Sequence, residues 1–199
     1  MKYSVLVFAF LIGLSPVYAQ KDKGMGSDNM YNKKKWKVGK TRMAYGLEVV
    51  KLEGEVSVYS MTNIGFESYE YRLETINKTA KKEMWTEAKL EKELKFYEHY
   101  KGGLIHLRIG RSSIGAGNTE YFTIIVKDLD ENEISRRTLG SDIPSVPTGA
   151  GGADVRLWRN YGGEYLEEKI PANFYVYVVD ALSDAPPYKF LVKQYPDPE

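Results

Sequence analysis

The chain contains no cysteine. That excludes disulfide staples, a thiol nucleophile, thiolate metal sites and a lipid anchor on an N-terminal cysteine. Histidine is nearly as scarce, with His99 and His106 the two present. They fall near the end of an expected helix and on an expected strand, a poor arrangement for a shared zinc ion. No G-x-S-x-G elbow accompanies His106 to suggest a nucleophilic triad. A surplus of one charge sign is also missing, since 28 Lys and Arg oppose 27 Asp and Glu. Without a basic field, nucleic acid is not an expected partner.

Long apolar runs are absent after the first residues. The opening "MKYSVLVFAFLIGLSPVYAQ" has a basic Lys2, an apolar run from Val5 to Leu14, a break at Pro16 and small residues at Val17 and Ala19. This is the pattern of a cleaved signal peptide over residues 1–19, and the run is short for a permanent membrane span. The expectation is an exported protein, periplasmic or extracellular, with no transmembrane segment after cleavage. Cleavage removes Lys2 and leaves 27 residues of each sign.

Motifs for cofactors fail on inspection. "GRSSIGAGNTEYF" spaces Gly110 and Gly115 like a phosphate loop. The Lys-Ser or Lys-Thr that would engage phosphate and magnesium is replaced by Ala116-Gly117, and a strand pattern follows where a helix is required. The segment reads as a turn whose glycines let two strands reverse through positive φ. "DLDENE", from Asp128, offers alternating oxygens but has Glu133 and Leu139 where a calcium loop needs glycine and glutamate. It reads as a hairpin tip. No cofactor or metal is expected.

What is present is a series of short, punctuated runs rich in Val, Ile, Tyr and Leu. Ala44–Leu52, Glu55–Met61, Gly103–Gly110, Tyr121–Asp128 and Glu133–Leu139 read as strands. Val155–Asn160, Tyr165–Ile170, Phe174–Leu182 and Tyr188–Gln194 continue the series. In "LIHLRI", Ile105, Leu107 and Ile109 alternate with His106 and Arg108, as in a half-buried antiparallel strand. The exception is Thr79–Tyr100, dense in Ala, Glu, Lys and Leu, which predicts one helix ended by Gly102-Gly103. "PSVPTGAGGA", Pro144–Ala153, has the composition of a surface loop. These features predict a mainly β chain: an antiparallel β-sandwich with one inserted or packed α-helix. Residues 20–42 form a polar, basic lead-in and residues 43–199 the single sandwich domain.

Aromatic residues are the most suggestive feature, with 16 Tyr and 3 Trp beside 7 Phe. In "VRLWRNY", Arg156, Trp158 and Asn160 alternate to one side, with Tyr161 next; in "NFYVYVVDAL", Tyr175 and Tyr177 share a side. Flat rings beside Arg and Asn suit stacking on sugars or gripping a peptide strand. The candidate contact surface is therefore Trp158, Arg156, Asn160, Tyr161, Tyr175 and Tyr177. Two other readings stand beside it. The same rings can cover a buried face, and the carboxylates of "EYLEEK" and "VVDALSD" can serve a glycosidase-like hydrolase. The sequence favours a non-catalytic binding or assembly module whose partner is an envelope or extracellular protein, or a glycan.

Overall fold

A computed structural model describes residues 36–57, 60–145 and 157–193. The expected signal segment, most of the basic lead-in, Arg156 and most of the Pro144–Ala153 loop lie outside the described residues. The strands are β1 (Thr41–Ala44), β2 (Leu47–Glu53), β3 (Ser60–Glu67), β4 (Gly103–Arg111), β5 (Phe122–Lys127), β6 (Glu133–Thr138), β7 (Trp158–Leu166), β8 (Asn173–Asp180) and β9 (Tyr188–Lys193). They form a six-stranded sheet in the order β1-β2-β9-β8-β5-β6 and a three-stranded sheet in the order β3-β4-β7. Every pairing between these strands is antiparallel. The chain is mainly β, and its two antiparallel sheets are those of a β-sandwich.

Alternation builds the core. Ile105, Leu107 and Ile109 of β4 turn one face inward, and Phe174, Val176 and Val178 of β8 meet them from the other sheet, all at 0–1% exposure. Phe66 meets Phe174 edge-on at 5.0 Å across the gap. Each such side chain contributes about 1.5–3 kcal/mol by leaving water. Trp36 joins this core, 5.3 Å from the Phe190 ring, and its indole N–H donates to the Lys40 carbonyl at 2.7 Å. The end of the basic lead-in is thus packed onto the sandwich.

Three expectations are corrected. The single helix expected over Thr79–Tyr100 is replaced by two, α2 (Glu87–Tyr97) inside that range and α1 (Tyr69–Lys82), which begins before it in a stretch not read as helix. Met84 adopts φ 51° between them, which ends the first, and Thr86 caps the second by accepting from Lys89 N–H at 3.3 Å. Secondly, the strands expected at Val155–Asn160 and Tyr165–Ile170 are replaced by the single β7, with Gly162 and Gly163 inside the ladder opposite Leu107 and His106. Thirdly, the "GRSSIGAGNTEYF" segment does not reverse paired strands. It carries the chain from β4 in one sheet to β5 in the other, through 3-10 turns at Gly115–Gly117 and Thr119–Tyr121. None of its glycines has positive φ. Gly117 is required by close approach instead, because a Cβ there would lie 2.9 Å from the Pro144 ring.

Candidate functional site

The six residues singled out in the sequence do not gather on one face. Register places Trp158 opposite Arg111 and Asn160 opposite Ile109, on the side of β7 that faces the other sheet. Asn160 is 4% exposed and its amide donates to the carbonyls of Gly117 and Asp142 at 3.1 and 2.6 Å. It ties the connecting loops together. Tyr161 points the other way, 46% exposed, with the Arg108 guanidinium 5.9 Å from its ring centre. Tyr175 and Tyr177 lie on the outer face of the six-stranded sheet, and Arg156 is outside the described residues.

The Tyr175–Tyr177 face is already occupied by its own neighbours. The Lys189 ammonium sits 4.1 Å from the Tyr175 ring centre and 5.2 Å from that of Tyr177. Glu131, at the β5–β6 hairpin tip with φ 66°, accepts from Lys189 at 2.7 Å and from the Tyr177 hydroxyl at 2.7 Å. The Lys189 hydrogen bond, then that of Tyr177, draws the Glu131 carboxyl down to about 2. This exposed cluster cross-links β8, β9 and the hairpin.

A different group of aromatic residues surrounds a recess on the outer face of the three-stranded sheet. Its floor is one row across the strands: Glu67 of β3 opposite Leu104 of β4, and Leu104 opposite Tyr165 of β7. Its wall comes from the helices, with Tyr97 and Tyr100 from α2 and the turn after it, and Tyr69 and Arg72 from α1. The recess is narrow, open to solvent on one side and with room at its centre for about one water.

Local sequence rules place each group. Ser68 is the N-cap of α1 and accepts from Tyr71 N–H at 3.2 Å. Glu67 therefore precedes the cap and Arg72 stands at the fourth helical position. Those two positions normally meet as a hydrophobic staple. Here the meeting is ionic: Arg72 Nη1 lies 3.4 Å from Glu67 Oε1. Glu67 is 3% exposed, and its other oxygen lies 3.0 Å from His106 Nε2. Tyr45, at φ 52° in the β1–β2 turn, stacks its ring on His106 with centroids 4.6 Å apart. Gly103, at φ 92°, turns the chain from α2 into β4; a Cβ there would lie 2.6 Å from the Glu67 carbonyl oxygen.

The rings form a continuous cluster. Tyr100 and Tyr165 are 4.7 Å apart, and Phe96 stands edge-on to Tyr165 at 6.0 Å. Phe96 is 48% exposed, although it belongs to a helix with no buried residue. The Arg72 guanidinium covers the Tyr97 ring at 4.8 Å. Burial raises the Tyr97 phenol, more than Arg72 lowers it, so its hydroxyl keeps its proton at neutral pH. Arg72 Nε is buried with no hydrogen-bond partner among the described residues. Chemically, the surface here is aromatic, with the Arg72–Glu67 pair set against the rings and the carboxylate buried beneath them.

Sequence reasoning missed this group. Its signal lies in three tyrosine-rich stretches, "ESYEYR", "FYEHY" and "EYLEEK", brought together only by the β4–β7 register. Two carboxylates considered for hydrolysis are engaged elsewhere: Asp180 with Arg111 at 2.8 Å, and Glu164 with Ser135 at 3.1 Å. Among the described residues, no group of three or more His, Asp or Glu is arranged to hold a metal. No described helix is long and apolar enough to cross a membrane. No protein-family model, curated protein or solved structure matches the chain.

Proposed function

We propose that the chain is an exported, non-catalytic binding module, periplasmic or extracellular, whose ligand lies against the aromatic surface between α2 and β7. The observation that carries this reading is the convergence of Phe96, Tyr97, Tyr100 and Tyr165 around Arg72 and the buried Glu67. Aromatic faces with a few fixed polar groups are the usual makeup of a ligand site. Phe96, half-exposed on a helix that buries none of its residues, leaves an aromatic face at the edge of this cluster for a ligand to cover. The ligand class favoured is carbohydrate, for which stacking on the exposed Phe96 and the neighbouring tyrosines supplies affinity. The face bearing Tyr175 and Tyr177 is less suited, because Lys189 already lies against both rings.

The test is a ligand screen read by isothermal titration against two tyrosine variants. Tyr165→Ala should abolish binding of any hit while the protein remains folded. Tyr177→Ala should leave affinity unchanged. The reverse pattern would move the site to the six-stranded sheet.

A further inference from the structure

We propose that the edge of β7 takes up an extended peptide of another protein as an added strand. An aromatic side chain of that peptide lies over Gly163, between Tyr161 and Tyr165. This goes beyond the carbohydrate surface above and does not rest on it, although the two sites share Tyr165.

The backbone supplies the pairing groups. Ser145 N–H donates to the Arg159 carbonyl at 2.9 Å, so that carbonyl faces away from β4. Backbone groups alternate along an antiparallel strand, and those of Tyr161, Gly163 and Tyr165 therefore face the same way. The Tyr161 N–H is taken by Asn160 Oδ1 at 2.8 Å. The N–H and C=O of Gly163 and Tyr165 stay on the edge, and no described strand pairs with them. Ser145 thus holds one end of an edge whose remainder can be continued by an extended chain.

This edge also lacks the usual protection against pairing. On β6, the nearby edge of the other sheet, Arg136 is exposed and Arg137 reaches Glu164 at 3.3 Å. Charges placed in this way blunt an edge. β1 has four residues, and β3 is buried from Thr62 to Glu67. β7 instead keeps unbroken register with β4, and from Tyr161 to Tyr165 it has no Lys, Arg or Pro.

The side chains define what is accepted. Tyr161, Gly163 and Tyr165 share the outer face, with Gly163 opposite His106. A Cβ at Gly163 would lie 2.9 Å from the Ile105 carbonyl oxygen, so the position is held to glycine. No side chain therefore stands between the two tyrosines. The residue of an added strand opposite Gly163 directs its side chain to that place, and an aromatic ring there covers the bare backbone.

A second copy of this chain fits less well. Pairing β7 on its own copy about Gly163 sets glycine against glycine. A shift one way sets Glu164 against Glu164. A shift the other way sets Tyr165 against Arg159, whose carbonyl Ser145 already holds.

The experiment selects a displayed library of randomised heptapeptides on the full chain and titrates the selected peptides in solution. Backbone amide exchange reports the place of binding. Selected peptides should carry an aromatic residue at a fixed position and protect the Gly163 and Tyr165 amides. Replacing that aromatic by Ala, or N-methylating alternate peptide bonds, should weaken binding at least tenfold. Tyr161→Ala, checked for an unchanged fold, should do the same, and Phe96→Ala should leave affinity unchanged. An N-methylated peptide that binds equally well overturns the proposal. So does a Phe96→Ala loss without a Tyr161→Ala loss, which would put the peptide beside α2. Selection of no peptide, or of peptides that protect neither amide, overturns it as well. A dimer in sedimentation with these amides protected before peptide is added would replace the partner with a second copy.

Discussion

Arg111 at the end of β4 and Asp180 at the end of β8 join the two sheets through a buried ion pair, Nη2 to Oδ2 at 2.8 Å. The Arg111 guanidinium is fully engaged: Nε also reaches Asp180 at 3.1 Å, Nη1 donates to the carbonyls of Met61 and Gly110, and Nη2 donates to Thr62 Oγ1. Such a network defines how one sheet sits on the other. Asp180→Ala leaves a buried guanidinium without its counter-charge and should cost about 3–5 kcal/mol. Replacing both partners, Arg111→Met with Asp180→Leu, should recover a large part of that loss. Urea unfolding of the two variants measures both. A single variant costing no more than the double would contradict the assignment.

Lys51 provides a pH-dependent term. Its side chain is 2% exposed, donates to the Glu55 carbonyl at 2.8 Å and lies 4.8 Å from the Tyr188 ring centre. Burial lowers its ammonium to about 8 against the opposing effect of Glu55, with Arg111 and Arg42 adding to the drop. The unfolded chain therefore holds more protons than the folded one between about 8 and the ordinary value of 10.5, and stability from this group rises with pH across that window. Lys51→Met removes the dependence. The stability of the native chain relative to this variant should be level below pH 8 and climb toward pH 10.5. A constant difference across that range would show that Lys51 is not held in a desolvating site.

Glu164 carries the opposite sign. It faces the inter-sheet gap at 6% exposure, and burial raises its carboxyl despite the Ser135 hydrogen bond and the nearby Arg137. Above the ordinary value of 4.5 the folded form binds more protons than the unfolded, so this group's contribution falls as pH rises through the raised value. Glu164→Gln should leave stability at pH 7 unchanged or increased, and any increase should vanish near pH 4. Thermal unfolding at the two pH values decides it. A large loss at pH 7 would mean that Arg137, 3.3 Å away, stabilises the carboxylate more than burial opposes it.

Gly103 couples fold to recess. A side chain there is strained at φ 92° and strikes the Glu67 carbonyl and the Phe66 ring. Gly103→Ala should destabilise by more than about 1 kcal/mol. It should also weaken recess ligands in the folded fraction, since Glu67 and Tyr100 both flank this turn. Unchanged stability with unchanged binding would contradict the packing argument.

Much of the sandwich was legible because strands print the alternation of their inward face, although β4, expected to be half-buried, is covered on both faces, with Arg108 at 3% exposure. "LIHLRI" and "NFYVYVVD" carry it residue by residue, and β4 and β8 fall within a residue or two of the sequence reading. The break between the helices was not legible. Propensity runs unbroken through "KKEMWTEAKLEKEL", and Thr86 lacks the glutamate three residues on that marks a capping box, having Lys89 there instead. The left-handed turn at Met84 and the Thr86 hydroxyl end one helix and begin the next. Local rules do reach part of the recess, since Ser68 as a cap brings Glu67 and Arg72 together. They cannot reach Tyr165, whose place beside Tyr100 depends on pairing β7 with β4 across more than fifty residues of chain. The aromatic load of the sequence pointed to ring-mediated contact, while the tyrosines that share a recess are not those adjacent in the strand patterns.

The central claim, that this chain binds its ligand between α2 and β7, is tested most directly by mapping aromatic resonances during titration with a carbohydrate hit from the ligand screen. Binding at the recess predicts shifts for Phe96, Tyr97, Tyr100 and Tyr165, with Tyr175 and Tyr177 unmoved. Shifts confined to Tyr175 and Tyr177, or to Tyr161, would contradict it.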